Sequence, residues 1–317
     1  MDDQLPIKKP RPAWRWLIDL AGLGLLIAAI TLAVRGADWN AIRGASWPIW
    51  AGAIGLVVAL YGINIALFWL ATKPVEHGRP VRILDWVAML PASGLLNYLP
   101  MRVGLIGRVA YMKKMYGIGY RANVLVMLAL AAASGGVYLL AGGLTVVLGD
   151  FSPLWWALLA AGLIGGAIVG WPLAAWGIGL EKGFKPRGLP AWITAIYVLR
   201  FADLLCVAAR LLIAAQIVGR PMDYALALKM AVVCNLAMLL SPVPGGIGIR
   251  ETLGGMLIQW QGGAAGAVTL SEAMAMLLVD RATEVIVTGV SGLAGLGYMR
   301  WKMAAANSEL GTRIAER

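Results

Sequence analysis

The stretch Ser241-Pro242-Val243-Pro244-Gly245-Gly246-Ile247-Gly248-Ile249-Arg250-Glu251 limits the fold of this chain more than any other. It separates an apolar run, Ala225 to Leu240, marred only by Lys229 and Asn235, from a shorter one, Leu253 to Trp260. Two prolines remove backbone donors and collide with a continuing helix, and the glycines that follow loosen the backbone. A helix should break here. Lipid offers an interrupted backbone no hydrogen bonds, so such a break belongs inside the protein or beside a wet cavity. The helix that restarts at Gly248 would present free N–H groups and the positive end of its dipole, which suits an anion. Arg250 adds a full positive charge, with Glu251 next to it.

An earlier stretch has the same order. In Pro100-Met101-Arg102-Val103-Gly104-Leu105-Ile106-Gly107-Arg108, as in Pro242 to Arg250, a proline is followed by glycine four residues on and arginine eight on. Each copy follows an apolar segment too short to cross a bilayer and return: Ile83 to Leu99, and Ala225 to Leu240.

The rest of the chain reads as bilayer-spanning. Of its 317 residues 60% are hydrophobic and 14% charged, and the mean hydropathy is +0.77. Those values place it in the membrane class. The net charge of +11 is carried mostly in short loops between apolar spans, which favours a membrane surface over nucleic acid. With about 20 apolar residues needed per crossing, the expected architecture is an all-α polytopic membrane protein. It has six crossings, at Trp16–Val34, Pro48–Ala71, Ala122–Leu148, Leu154–Leu180, Pro190–Val218 and Ala267–Met299. Two broken, re-entrant hairpins complete it, at about 83–112, interrupted by Pro91 and Pro100, and about 225–260. A basic tail (1–15), one transmembrane domain (16–299) and a C-terminal tail (300–317) make up the chain.

Lysine and arginine set the orientation. One side collects Lys8, Lys9, Arg11, Arg15, Lys73, Arg79, Arg82, Lys113, Lys114, Arg121, Lys182, Lys185, Arg187, Arg300, Lys302, Arg313 and Arg317; the other has Arg35, Arg43 and Arg220. Both termini are therefore expected in the cytoplasm, and the two hairpins enter from opposite sides. Inverted broken helices of this kind are expected of alternating-access transporters, with the binding site near the midplane.

Charges inside the spans point to what binds there. Arg200, Asp203 and Arg210 share a helical face, and Asp280, Arg281 and Glu284 lie mid-helix, Glu272 two turns before. Such groups are costly in hydrocarbon and should face the interior, where mutual ion pairing or a polar cavity accounts for them. Arg102, Arg108, Arg200, Arg210, Arg250 and Arg281 outnumber Asp203, Glu251, Asp280 and Glu284. Guanidinium matches phosphate in a fork geometry, so the excess points to an anionic lipid headgroup. The substrate-binding set is those ten residues with Gly104, Gly245, Gly246 and Gly248. Cys206, Cys234 and the lone His77 have no metal-ligand spacing, and neither a metal, a cofactor nor a catalytic set is expected. Gly162, Gly166 and Gly170 form a tandem GxxxG, for packing within the bundle or, alternatively, a homodimer. Trp14, Trp16, Trp47, Trp50, Trp155, Trp156, Trp192 and Trp301 fall near span ends, as interfacial anchors do.

Leu96-Asn97-Tyr98-Leu99-Pro100 through Gly104 and Arg108 to Gly117-Ile118-Gly119-Tyr120-Arg121, together with Pro244-Gly245-Gly246-Ile247-Gly248-Ile249-Arg250-Glu251, resemble the signature of the lysylphosphatidylglycerol synthase transmembrane-domain family. The resemblance covers roughly Trp16 to Met299. It implies a bacterial inner-membrane protein that moves an anionic phospholipid or isoprenoid-type lipid between leaflets, a flippase-like translocase. The soluble aminoacyl-transferring domain of the full synthases does not follow here, so lysyl transfer is not expected. The alternatives are an integral-membrane transferase acting on a lipid phosphate, with Asp280 or Glu251 as base, or a non-transporting scaffold for lipid biosynthesis.

Overall fold

The computed structural model describes residues 27, 30–31, 34–35, 38–76, 80–98, 103–149, 151–179, 189–240, 248–262 and 269–315. Most of the expected first crossing, the loop holding His77 and Arg79, and both proline-bearing break points (Pro100, and Pro242 with Pro244) lie outside the described residues. Among the described residues there are ten α-helices and no strand: α1 (Trp39–Gly44), α2 (Trp47–Thr72), α3 (Ile83–Leu96), α4 (Val103–Tyr116), α5 (Tyr120–Leu148), α6 (Pro153–Gly179), α7 (Leu189–Ile217), α8 (Tyr224–Leu240), α9 (Ile249–Gly262) and α10 (Leu270–Ala315). The protein is an all-α membrane protein. Residues Trp47–Val75, Tyr120–Leu148 and Pro153–Gly170 are long and apolar enough to cross a membrane. Helices α7 and α10 are long enough as well but carry ionisable residues in the middle.

Local signals in the chain set several helix ends. Asp38 caps α1, its carboxylate accepting from the amides of Asn40 and Ala41 at 2.9 and 3.2 Å. Thr269 and Glu272 form a reciprocal capping box at the start of α10: the Thr269 amide donates to Glu272 at 2.8 Å and the Glu272 amide to the Thr269 hydroxyl at 3.3 Å. Helix α7 ends at Ile217, and the chain turns at Gly219, whose φ of +75° is a left-handed conformation that favours glycine. The Arg220 amide then reaches back to the Ala215 carbonyl at 2.9 Å.

The short helices pair as hairpins. α3 and α4 pack on each other, as do α8 and α9. At 1.5 Å per residue the 14 residues of α3, α4 and α9 reach only about 21 Å, less than a hydrocarbon core of about 30 Å. The hairpins start at opposite ends of the bundle. Asp85, in the first turn of α3, pairs with Lys302 near the far end of α10 at 2.5 Å. Tyr224, at the start of α8, stacks edge-on against Phe151, which precedes α6, at 5.6 Å.

Between those ends the bundle is layered. One apolar core is built around Leu67, Trp86, Met89, Met112, Val126 and Leu130. The other is built around Val137, Trp155, Leu204, Leu211, Met230, Ile258 and Met276. Four helices pass from one to the other, and each turns polar at the same level: Tyr61 and Asn64 on α2, Ser134 and Tyr138 on α5, Arg200 and Asp203 on α7, Asp280 to Thr288 on α10.

Three expectations change. Pro91 does not break α3, which continues to Leu96; one missing donor costs one helical bond, and a helix tolerates that when its neighbours close over the gap. Trp155 is fully buried, its indole N–H donating to Thr145 at 3.3 Å, while Trp156 beside it is exposed. Adjacent helical residues face different ways, so only one of the two can be an interfacial anchor. Helix α10 continues past Met299 to Ala315, because Met303 packs on the first core and Lys302 is tied to Asp85.

That tie is elaborate. The fully buried Asp85 also accepts from the hydroxyls of Tyr111 (3.3 Å), Tyr298 (3.2 Å) and Tyr116. Lys302→Met should lower stability by roughly 1.5–3 kcal/mol, the worth of a hydrogen bond to a charged group. Thermal unfolding in detergent would measure it, and Tyr111→Phe should cost less.

Candidate functional site

The polar layer contains one ion network and one smaller cluster. Asp280 and Glu284 stand one turn apart on α10, where two carboxylates repel each other unless cations intervene. Two guanidiniums do. Arg210 of α7 bonds Asp280 at 2.9 Å and Glu284 at 3.1 Å. Arg250, the second residue of α9, bonds Glu284 at 3.2 Å and Asp280 as well. Arg281 adds a 3.4 Å contact to the other oxygen of Glu284, and its guanidinium lies 5.2 Å from the Tyr98 ring, at the tip of the first hairpin. In the smaller cluster Asp203 accepts from Asn64 at 2.7 Å and from Tyr138 at 3.2 Å. Arg200 donates to the Asn64 carbonyl at 3.2 Å and lies 3.7 Å from Asp203.

Two adjoining cavities open in this layer. One of about 300 Å³ is bordered by Asn64, Tyr138, Arg200, Asp203, Arg210, Asn235, Arg250 and Glu284. The other, about 280 Å³, is bordered by Tyr61, Asn97, Tyr98, Arg281, Glu284 and Thr288. Met238, Leu239 and Glu284 belong to both walls. The end of α8, the start of α9 and the tip of α3 thus meet around Glu284 from opposite ends of the bundle. Among the described residues no group of His, Cys, Asp and Glu has the geometry of a metal site.

The start of α9 is partly self-occupied. Gly248 takes a φ of +81°, and its N–H donates to the carboxylate of the buried Glu251 at 2.8 Å. This is the return half of a capping box. Glu251 therefore answers part of the positive helix end that the sequence reserved for an outside anion.

Of the residues singled out in the sequence, Arg200, Asp203, Arg210, Arg250, Asp280, Arg281 and Glu284 lie together in this layer, with Gly248 and Glu251 at its edge. Arg102, Gly245 and Gly246 are outside the described residues. Arg108 and Gly104 are elsewhere. The buried guanidinium of Arg108 sits 4.2 Å from the Phe68 ring and borders a different, mostly apolar cavity of about 240 Å³ with Gly104, Met89 and Met299. Both arginines follow their proline by eight residues, but α4 begins at Val103 and α9 only at Ile249. Arg108 is thus five residues into its helix, about 7.5 Å further from the break than the helix start. Gly104 packs where a Cβ would run into the Ser93 carbonyl, which lets α4 fold back against α3.

The placement redistributes the charge excess. In the layer Arg200, Arg210, Arg250 and Arg281 face Asp203, Glu251, Asp280 and Glu284, four against four. Sequence reasoning left out Asn64, Tyr138, Tyr61 and Thr288. Their signal was an isolated hydrogen-bonding side chain in an apolar span, at the level where other spans carry charge. The glycine stripe of α6 is covered within the chain: a Cβ on Gly162 would strike Leu140, and one on Gly166 would come within 2.9 Å of Tyr197.

Comparison with known proteins agrees with this architecture. No curated protein and no solved structure matches the chain. A family model, that of the lysylphosphatidylglycerol synthase TM region, matches residues 19–292. The chain therefore belongs to the lysylphosphatidylglycerol synthase transmembrane-region family, whose membrane domains are linked to lipid modification or translocation.

Proposed function

We propose that this multi-pass protein is a flippase-like translocase of the bacterial inner membrane, carrying an anionic phospholipid or isoprenoid-type lipid, with both termini cytoplasmic. One observation carries the reading: two interrupted hairpins enter from opposite ends of the bundle and meet at a charged layer bordered by cavities. Discontinuous helices flanking a shielded site near the midplane recur in alternating-access transporters.

The mechanism follows from the ion network. Each guanidinium of Arg210 and Arg250 is held by carboxylates that a lipid phosphate resembles in charge and fork geometry. Glu284 bonds three arginines and reaches both cavities, so its contacts are the ones a headgroup would exchange. Exchanging like for like leaves the buried cations paired throughout. Relaxing the bonds between α7, α9 and α10 would allow the hairpins to shift and open one end while closing the other.

The test is transbilayer movement of a fluorescent phosphatidylglycerol in proteoliposomes. Arg250→Lys preserves the charge but loses the fork. It should slow transport by at least about tenfold, one hydrogen bond to a charged group, in a variant that still elutes as folded protein. Transport at the parent rate would remove Arg250 from the pathway.

A further inference from the structure

Among the described residues four buried side-chain polar atoms have no hydrogen-bond partner: Trp86 Nε1, Arg200 Nε, Asn235 Nδ2 and Arg250 Nε. Three of those four residues, Arg200, Asn235 and Arg250, border the same 300 Å³ cavity. All three orphans are N–H donors, and buried donors are almost always satisfied, so the cavity calls for a ligand that only accepts. Its wall holds Arg200, Arg210 and Arg250 against Asp203 and Glu284, and Asp280 bonds Arg210 and Arg250 from outside the wall, so the charges balance and the orphan donors, not a net charge, select the ligand. Two of the three orphans are guanidinium N–H groups, which suit the paired oxygens of an oxyanion, and a phosphodiester supplies such oxygens with a single negative charge.

Another cavity borders three of the same helices, α2, α5 and α7. This crevice, about 390 Å³, runs between α2, α5, α6 and α7, and among the described residues no carboxylate, lysine or arginine lines it. Three helices carry one face from crevice to polar cavity: Ala71 to Asn64 on α2, Leu130 to Ser134 on α5, Ile196 to Arg200 on α7. Spacings of seven and four keep these pairs on the same side of each helix. Hydrocarbon fits the crevice at the point where oxyanion fits the cavity.

We infer that the two cavities form one amphiphile site, which takes the phosphodiester of a lipid on Arg200, Asn235 and Arg250 and one of its hydrocarbon chains along α5 beside Ala129. This rests on the lipid-carrying reading above and deepens it, assigning the headgroup to the Arg200 side of the layer and leaving Arg108 out.

The experiment titrates purified protein with dioleoylphosphatidylglycerol, dihexanoylphosphatidylglycerol, dioleoylglycerol and inorganic phosphate, reading bound ligand by native mass spectrometry. Asn235→Leu should weaken both phosphatidylglycerols about tenfold, the loss of one charged hydrogen bond, and leave dioleoylglycerol unchanged. Ala129→Phe, at an exposed position of the crevice, should weaken only the long-chain form. Asn235→Asp keeps the side-chain shape, removes the donor and turns a carboxylate toward the phosphate; it should lower phosphatidylglycerol binding further than Asn235→Leu does. Unchanged binding in both Asn235 variants would mean that water satisfies the donors, and the headgroup site would be wrong. Inorganic phosphate binding as tightly as the short-chain lipid, with Ala129→Phe silent, would overturn the chain slot. Loss of transport with the binding pattern intact would count against translocation alone, and transport without that pattern against this site alone.

Discussion

Asp280→Ala is expected to destabilise the protein by about 3–5 kcal/mol, the cost of removing one partner from a buried ion pair. Asp280 is 2% exposed and bonds both Arg210 and Arg250, themselves 2% and 3% exposed. Without it, among the described residues only the Glu284 carboxylate still bonds the two desolvated guanidiniums from α7 and α9. The measurement is thermal or denaturant unfolding in detergent micelles. A joint replacement, Arg210→Met, Arg250→Met, Asp280→Leu and Glu284→Leu, makes the contrast informative. It removes as many positive as negative charges, so it should cost far less than the single change and come near the parent stability, yet it should transport no lipid. A stable quadruple variant that still moved lipid would make the network purely structural. A single variant as stable as the parent would show that the layer is open to water.

Gly295→Leu should have a comparable effect by a different route. A Cβ at Gly295 would run into the backbone carbonyl of Ala88, and one at Gly292 would come within 2.8 Å of the Pro91 carbonyl. Both glycines lie on the face of α10 that meets α3, the most extensive helix pairing in the fold. Backbone cannot rotate aside as a side chain can, so the helices must part. A loss of about 3 kcal/mol, the top of the range for overpacking, is expected. The separation would also pull Asp85 from Lys302 and the hairpin tip from Thr288, so transport should fall along with stability. Gly297→Leu is the control, since nothing lies within 4 Å of a Cβ there, and it should change neither.

Helix extents were largely legible in the sequence. The expected spans Pro48–Ala71, Ala122–Leu148 and Pro190–Val218 agree with Trp47–Thr72, Tyr120–Leu148 and Leu189–Ile217 to within two residues at each end. Apolar runs of bilayer length, ended by polar or proline-bearing turns, leave few alternatives. The hairpins were legible for the same reason, since segments too short to cross must turn back. Pro91 was not, because whether a proline kinks or breaks a helix depends on what packs around it. The glycines at 292 and 295 carried no signal that set them apart from Gly289 or Gly297; which of them meets a backbone is a property of the partner helix.

The site divides along the same line. That Asp280, Glu284, Arg210 and Arg250 would be buried and face inward followed from the cost of charge in hydrocarbon, whatever the fold. Their pairing depended on helix phase and depth, and the two arginines that follow their prolines at equal distance show how. Arg250 reaches the polar layer because α9 starts one residue before it, while Arg108 falls against Phe68 because α4 has already run five residues. Glu251 likewise caps its own helix instead of facing the cavity. Composition and apolar length thus set the class, the spans and the two reversals, since those depend on transfer energies that each segment bears alone. Partners, charge balance within the layer and the two cavities came only with packing, because they depend on the rotation and depth of helices far apart in the chain.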